Sequence, residues 1–138
     1  MPKICIDPGH GGSQPGASGY SGTLEKDITL QVSLKLRDIL KQLGFEVVMT
    51  RDTDKDVRTS KQLNELQARC DVANNSHADY FVSIHCNAAD ALSAHGTETW
   101  YYDKDIKSKV LANCIQSELV KQTKRTDRGV KIGNYYVS

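Results

Sequence analysis

The spacing of apolar side chains divides the chain into alternating strand-like and helical segments. Short runs of apolar and β-branched residues predict strands, and steps of three and four residues between apolar positions predict helices. Along the first helix, apolar side chains follow this spacing at Ile28, Val32, Leu36, Ile39, Leu40 and Leu43. The predicted elements, in chain order, are strand Lys3–Asp7, helix 26–43 ended by Gly44, strand Phe45–Thr50, a helix marked by Leu63, Leu66, Cys70 and Ala73, strand Tyr80–His85, strand Gly96–Tyr102, a helix from Ser108 to Thr123, and a short last strand, Asn134–Val137.

This alternation of strands and helices predicts an α/β fold with three layers. Successive parallel strands joined by right-handed helical crossovers place helices on both faces of a central sheet. Tyr80–His85 is nearly all apolar, as expected of a strand that is covered on both faces. The 138 residues suit a single domain, residues 1–138.

Composition excludes several classes of function. Eighteen basic residues against 17 acidic ones give a net charge of +1, so no global field attracts nucleic acid or an anionic membrane. No apolar run is long enough to span a bilayer. Met1-Pro2-Lys3 leads straight into the first strand, so we expect no signal peptide in this chain. The four cysteines form no C-x-x-C pair, which excludes a zinc site built from cysteines alone.

Six of the ten glycines lie between Gly9 and Gly22, directly after the first strand. A glycine-rich loop in this place also occurs in nucleotide-binding proteins. Gly11 and Gly16 have the spacing of a phosphate loop, but Ala17 stands where the phosphate-binding lysine belongs. About ten more loop residues then separate this segment from the helix that such a motif would open at once. We therefore do not expect a nucleotide site.

Two histidines and a glutamate follow the predicted strands in a suggestive order. His10 follows the first strand, His85 ends the third, and Glu25 precedes the first helix. Because open α/β sheets build their sites at the carboxyl ends of the strands, these side chains are expected at one edge. Two imidazoles and a carboxylate form a known catalytic zinc set with a position left for water. Spacing alone leaves a structural alternative open for each residue. These alternatives are a turn residue for His10, a first-turn helix acid for Glu25 and a core histidine for His85.

The same residues lie within motifs that resemble the zinc-dependent N-acetylmuramoyl-L-alanine amidases of bacterial autolysins and phage endolysins. The resemblance extends from Lys3 to Val137. Its six segments occur in the family's order: Ile6-Asp7-Pro8-Gly9-His10-Gly11-Gly12, Leu24-Glu25-Lys26-Asp27, Met49-Thr50-Arg51-Asp52-Thr53-Asp54, Ala73-Asn74, Ser83-Ile84-His85-Cys86-Asn87-Ala88 and Gly96-Thr97-Glu98-Thr99-Trp100-Tyr101-Tyr102.

The resemblance implies that His10, Glu25 and His85 bind one Zn²⁺ and that the substrate is peptidoglycan. The implied reaction is hydrolysis of the amide between N-acetylmuramic acid and L-alanine. The implied fold is α/β with a mainly parallel twisted sheet. We accordingly expect a monomer that acts on the bacterial cell wall after secretion or lysis.

The sequence also departs from the family. Family members continue past the strand represented by Asn134–Val137 into a further strand, which carries the catalytic glutamate, and a closing helix. We therefore expect this chain to lack that strand and helix, and to be weak or inactive unless another segment completes it. Glu98 is the one strand carboxylate at a family motif position, so it is the candidate substitute base. Its alternative role is that of a structural acid, and the alternative for the chain is an inactive zinc-bearing wall-binding or regulatory module.

Overall fold

The computed structural model describes residues 1–89 and 93–134, which form two compact units. Unit 1 is Met1–Ala88, and unit 2 begins at Ala89. The strand pairs of both units are parallel, and a helix connects the strands in each, so the predicted α/β class is confirmed. In the described part of the chain, every helix is too short or too polar to cross a membrane.

Unit 1 is built on a three-stranded sheet. Its elements are β1 (Lys3–Pro8), α1 (Glu25–Gln42), β2 (Glu46–Met49), α2 (Glu65–Asn75) and β3 (Tyr80–Ile84). The strand order is β2-β1-β3, with β1 parallel to both neighbours. The chain moves one way across the sheet from β1 to β2 and the other way from β2 to β3. Right-handed crossovers therefore place α1 and α2 on opposite faces, which gives the three predicted layers.

The most buried strand of unit 1 is β1. The sequence predicted full burial for Tyr80–His85, but Tyr80–Val82 and Ile84 are only half-buried, and Ser83 is exposed. In β1, by contrast, the last four residues are all buried. The reason is topological, because β1 lies between two strands, whereas β3 pairs only with β1 among the described residues.

Helix α1 turns a polar face inward. Its buried residues are Glu25, Thr29 and Ser33, spaced four apart on one face. Most of the predicted apolar stripe is exposed, at Ile28, Val32, Ile39 and Leu43. The helix begins at Glu25, one residue before the predicted start, and polar contacts orient its inward face. One of these is the hydrogen bond from Thr29 Oγ1 to the carbonyl of Gly9, at 2.7 Å.

Unit 2 is a single strand–helix–strand unit. It consists of β4 (Thr97–Tyr101), α3 (Ile106–Thr123) and β5 (Asp127–Ile132), with β4 parallel to β5. Buried Gln116 on α3 joins both strands, since its amide nitrogen donates to the Thr97 carbonyl and to Asp127. Sequence analysis missed β5, because its basic residues and Gly129 hide the strand pattern. The strand predicted at 134–137 lies outside the described residues from position 135 onwards.

Candidate metal centre

The three predicted ligands lie together in unit 1. His10 follows β1 by two residues, His85 comes directly after β3, and Glu25 is the first residue of α1. Because β1 and β3 are parallel neighbours, their carboxyl ends lie at the same edge of the sheet. The glycine-rich loop then brings the start of α1 back to this edge. A hydrogen bond from Gly9 N–H to the Ile84 carbonyl, at 2.9 Å, holds the two strand ends together.

The ligand atoms of the three side chains converge. His10 Nε2 lies 3.2 Å from Glu25 Oε2, and His85 Nδ1 lies 3.2 Å from Glu25 Oε1. All three side chains offer a ligand atom within 4.8 Å of the other two. Zinc–ligand bonds of about 2.0–2.1 Å at tetrahedral angles place neighbouring ligand atoms about 3.3 Å apart. The nitrogen–oxygen distances therefore suit a single small divalent cation.

Glu25 is held rigidly in a buried position. Its Oε2 accepts a hydrogen bond from Ala17 N–H and its Oε1 one from Cys86 N–H, at 2.9 and 2.8 Å. Burial favours the protonated acid and is the largest single effect, but the two backbone donors and the charges of His10 and His85 together keep the pKa of Glu25 below its ordinary value. The carboxylate is therefore ionised at neutral pH, as a metal ligand must be.

The surroundings of His10 favour a neutral imidazole. Burial lowers the pKa of His10, and this effect exceeds the opposing attraction of the Glu25 carboxylate. A lowered pKa favours the neutral imidazole, which is the form that binds metal ions. The rings of His10 and His85 meet edge to face, with centroids 5.0 Å apart, and each ring directs one nitrogen towards the Glu25 carboxylate.

Two glycines allow the backbone to approach these side chains closely. A Cβ added to Gly16 would lie 2.6 Å from His10 Cδ2 and 2.7 Å from Glu25 Oε2. A Cβ on Gly9 would collide with the His85 ring and the Ile84 carbonyl. The glycine-rich loop thus serves the site through its lack of side chains, not through phosphate contacts.

Two buried arginines that sequence reasoning assigned no role hold the turn that carries His10. Arg51 donates to the carbonyls of Pro8 and Gly9, at 3.1 and 3.0 Å. Arg69 donates to the carbonyls of Pro8 and His10, both at 2.8 Å. A signal for Arg69 was present in the sequence, since it lies three residues after Leu66 on the predicted helix face, where a charge is unexpected.

Acidic side chains after β2 secure the next part of the loop. Asp54 accepts from the backbone N–H of Gly12 at 2.7 Å, and Asp56 accepts from both the N–H and the hydroxyl of Ser13. Lys26 bridges this contact, because its Nζ donates to the Gly12 carbonyl and to Asp54. The charged segment after β2 is therefore a support for the glycine-rich loop.

Glu98 belongs to unit 2 and lies among cations. Its carboxylate is paired with Lys131 and with Arg128, and it accepts a hydrogen bond from Trp100 Nε1 at 3.0 Å. The bonds from Lys131 and Trp100 lower the pKa of Glu98 below its ordinary value. No described contact tests its predicted role as a base, so that role stays a prediction.

The fold and the site together define a parallel α/β protein with a His–Glu–His cluster at the carboxyl edge of the sheet of unit 1. A family model described as N-acetylmuramoyl-L-alanine amidase matches residues 4–138, and the chain belongs to this family.

Individual relatives agree with the family assignment. The chain is 36% identical to the germination-specific N-acetylmuramoyl-L-alanine amidase of Bacillus subtilis strain 168, over 93% of this chain and 56% of that protein. It is 40% identical to the sporulation-specific amidase of the same organism, over 99% of this chain and 51% of that protein. Among solved structures, the CwlD amidase of Clostridioides difficile, in complex with the GerS lipoprotein, matches with a TM-score of 0.90 and 35% identity. That match covers 99% of this chain and 75% of the CwlD chain. The chain thus spans about half the length of the curated relatives that it matches.

Proposed function

We propose that this chain hydrolyses the amide bond between N-acetylmuramic acid and L-alanine in peptidoglycan, with one Zn²⁺ held by His10, Glu25 and His85. The observation that carries the proposal is the convergence of the three ligand atoms in a chain of the amidase family. Two imidazole nitrogens and one carboxylate oxygen are a donor set that zinc prefers, and three protein ligands leave one position for substrate or water.

The chain's own residues would bind the ion and orient it towards the scissile carbonyl. When bound, the ion supplies Lewis acidity that activates water and polarises the scissile carbonyl. Glu25 would neutralise part of the ion's charge, and its two backbone donors hold the carboxylate in place. His10 and His85 are partly exposed, with 29% and 48% of their side chains accessible. The exposed side of the cluster is therefore where the muramyl carbonyl would approach.

Proton transfer to the departing L-alanine amine needs a further group, because Glu25 is the one carboxylate of the described cluster. Glu98 is our sequence-based candidate, but its pairing with Lys131 and Arg128 stabilises the ionised form and makes it a poorer proton acceptor. We therefore propose a structural role for Glu98. A general base contributes about 10²–10⁴-fold to a rate. A smaller loss of amidase activity in Glu98→Gln would therefore agree with a structural role.

Product analysis tests the proposed activity. Purified peptidoglycan is incubated with the zinc-loaded chain, and new amino termini and released glycan strands are identified by mass spectrometry. We expect new L-alanine amino termini, their loss after treatment with a chelator and their return with added Zn²⁺. Cleavage at a sugar–sugar or a peptide–peptide bond by the zinc-loaded protein would contradict the proposal.

The engagement of Glu98 in ion pairs favours one second candidate, an inactive zinc-bearing module that binds the cell wall or regulates another enzyme. This module would sediment with peptidoglycan and retain zinc, yet release no L-alanine termini. In either case, we propose that the chain acts as a monomer on the bacterial cell wall.

A further inference from the structure

Unit 1 contains two buried guanidinium groups that the proposed chemistry does not use. Arg51 is 1% exposed and Arg69 is 4% exposed. A buried charge persists only when it is paired and when its hydrogen bonds are satisfied. The partners of these two groups therefore show what the fold uses them for.

Both arginines donate to consecutive carbonyl groups at the end of β1 and in the turn that follows it. Arg51 donates to Pro8 and Gly9, while Arg69 donates to Pro8 and His10. Charged donors thus hold the carbonyl groups of all three consecutive residues that end at the proposed metal ligand His10. Arg51 also donates to the carbonyls of Lys26 and Thr53 and to the hydroxyl of Thr29, and Arg69 also pairs with Glu65. Buried Asp7 orients Arg69 through a 2.6 Å ion pair, and hydroxyl groups of Thr50 and Ser83 donate to the same carboxylate.

The turn needs such support because of the backbone of His10. Its φ is +61°, in the left-handed region that residues with a Cβ disfavour. This φ determines the direction in which the imidazole leaves the backbone. The bond from Arg69 Nη2 to the His10 carbonyl, at 2.8 Å, fixes the adjoining peptide and so opposes relaxation to a more common conformation.

We propose that Arg69, supported by Arg51, is a positioning residue that holds His10 in the orientation needed for metal binding. The inference rests on the proposed metal site. Only the planar fork of an arginine can contact Asp7, Pro8 and His10 at once, because a lysine offers a single nitrogen. Arg69→Lys should therefore keep a positive charge near Asp7 and lose the contact with His10.

The test compares the zinc affinity of the wild-type chain, Arg69→Lys and Arg37→Lys, measured by competition with a chromophoric chelator. Loss of a group that orients a metal ligand typically lowers metal affinity by about 10–100-fold, and we expect a loss of this size for Arg69→Lys. Arg37→Lys is the matched control, because it makes the same chemical change on α1, where Arg37 donates to the neighbouring Asp38. We expect Arg37→Lys to retain wild-type affinity within about twofold.

A second readout separates positioning from general stability. The cobalt-substituted proteins should show an altered visible spectrum for Arg69→Lys and the wild-type spectrum for Arg37→Lys. Circular dichroism checks folding at the temperature used, and Arg51→Lys serves as a second variant with an expected loss of the same direction. Equal zinc affinity and equal cobalt spectra in the wild type and Arg69→Lys would overturn the proposal. So would failure of both lysine variants to fold, since it would assign the arginines to the fold as a whole. Absence of zinc binding by the wild type would instead refute the proposed metal site itself.

Discussion

Units 1 and 2 both place a helix between parallel strands, but they treat charged groups differently. In unit 1, Asp7, Arg51 and Arg69 are at most 4% exposed, and Glu25 is equally buried. In unit 2, the prominent cluster is Glu98 with Lys131 and Arg128, whose side chains are partly accessible. The residues buried within α3 are the uncharged Ala112 and Gln116.

This difference indicates which unit is held more rigidly by its charged groups. Removing one partner of a buried charge pair leaves the other uncompensated and costs about 3–5 kcal/mol. An exposed pair contributes about 0.2–1 kcal/mol. The polar network of unit 1 therefore fixes the backbone around His10, Glu25 and His85, whereas the ion pairs of unit 2 are expected to contribute little to the free energy of unfolding. Substitutions of charged residues should therefore have larger effects in unit 1 than in unit 2.

The largest contrast is expected between two glutamates. Glu25→Gln removes a charged ligand and should lower zinc affinity by more than the about 10–100-fold typical of groups that only orient ligands. Glu98→Gln, a chemically identical change in unit 2, should leave zinc affinity within about twofold. Isothermal titration of both variants with Zn²⁺ measures the contrast. Equal losses in the two variants would show that the cluster of unit 1 is not the metal site.

A pair of glycines tests how closely the loop must approach the cluster. Gly16 and Gly22 both have left-handed backbone angles, with φ of +69° and +81°, but a Cβ on Gly22 would meet nothing within 4 Å. Both alanine variants should lose about 1–3 kcal/mol of unfolding free energy through backbone strain. Gly16→Ala should also lower zinc affinity about tenfold, because its Cβ displaces His10 and Glu25. Chemical denaturation and zinc titration check the pair, and an equal zinc affinity in both variants would contradict close approach as the function of Gly16.

The smallest expected effect concerns pH and unit 2. Glu98 has a pKa below the ordinary value of 4.5, chiefly because of Lys131 and Trp100. The ion pairs of Glu98 therefore stabilise the folded state fully above pH 4.5. Their contribution is lost as the pH falls through the lower pKa of Glu98 in the folded state, because the unfolded chain then binds more protons. Urea denaturation of metal-free protein between pH 5 and pH 3 should show a shallower loss of stability in Glu98→Gln than in the wild type. Parallel profiles would mean that the ion pairs of Glu98 do not stabilise the fold.

The elements of unit 1 and the convergence of three side chains at one sheet edge were predictable from the sequence. Apolar spacing identified α1 and the strands of unit 1, and the order of His10, Glu25 and His85 placed them at one sheet edge. These predictions succeed because they depend on local periodicity and on a general property of parallel sheets.

Other features depend on contacts between distant segments, which the sequence does not reveal. The inward face of α1 carries Thr29 because a carbonyl of the turn after β1 needs a donor there. The hydrogen-bond acceptors of Arg69 at Asp7, Pro8 and His10 lie about 60 residues away in the chain. Strand β5 escaped prediction because Arg128 and Lys131, which pair with Glu98, interrupt its apolar pattern.

The central claim is that His10, Glu25 and His85 hold one metal ion. X-ray absorption spectroscopy at the zinc edge, on chain purified with zinc and freed of loosely bound metal, tests it most directly. The account predicts one zinc per chain, with two imidazole nitrogens and oxygen ligands at about 2.0–2.2 Å. A metal-free protein, or a zinc ion coordinated by cysteine sulfur, would contradict it.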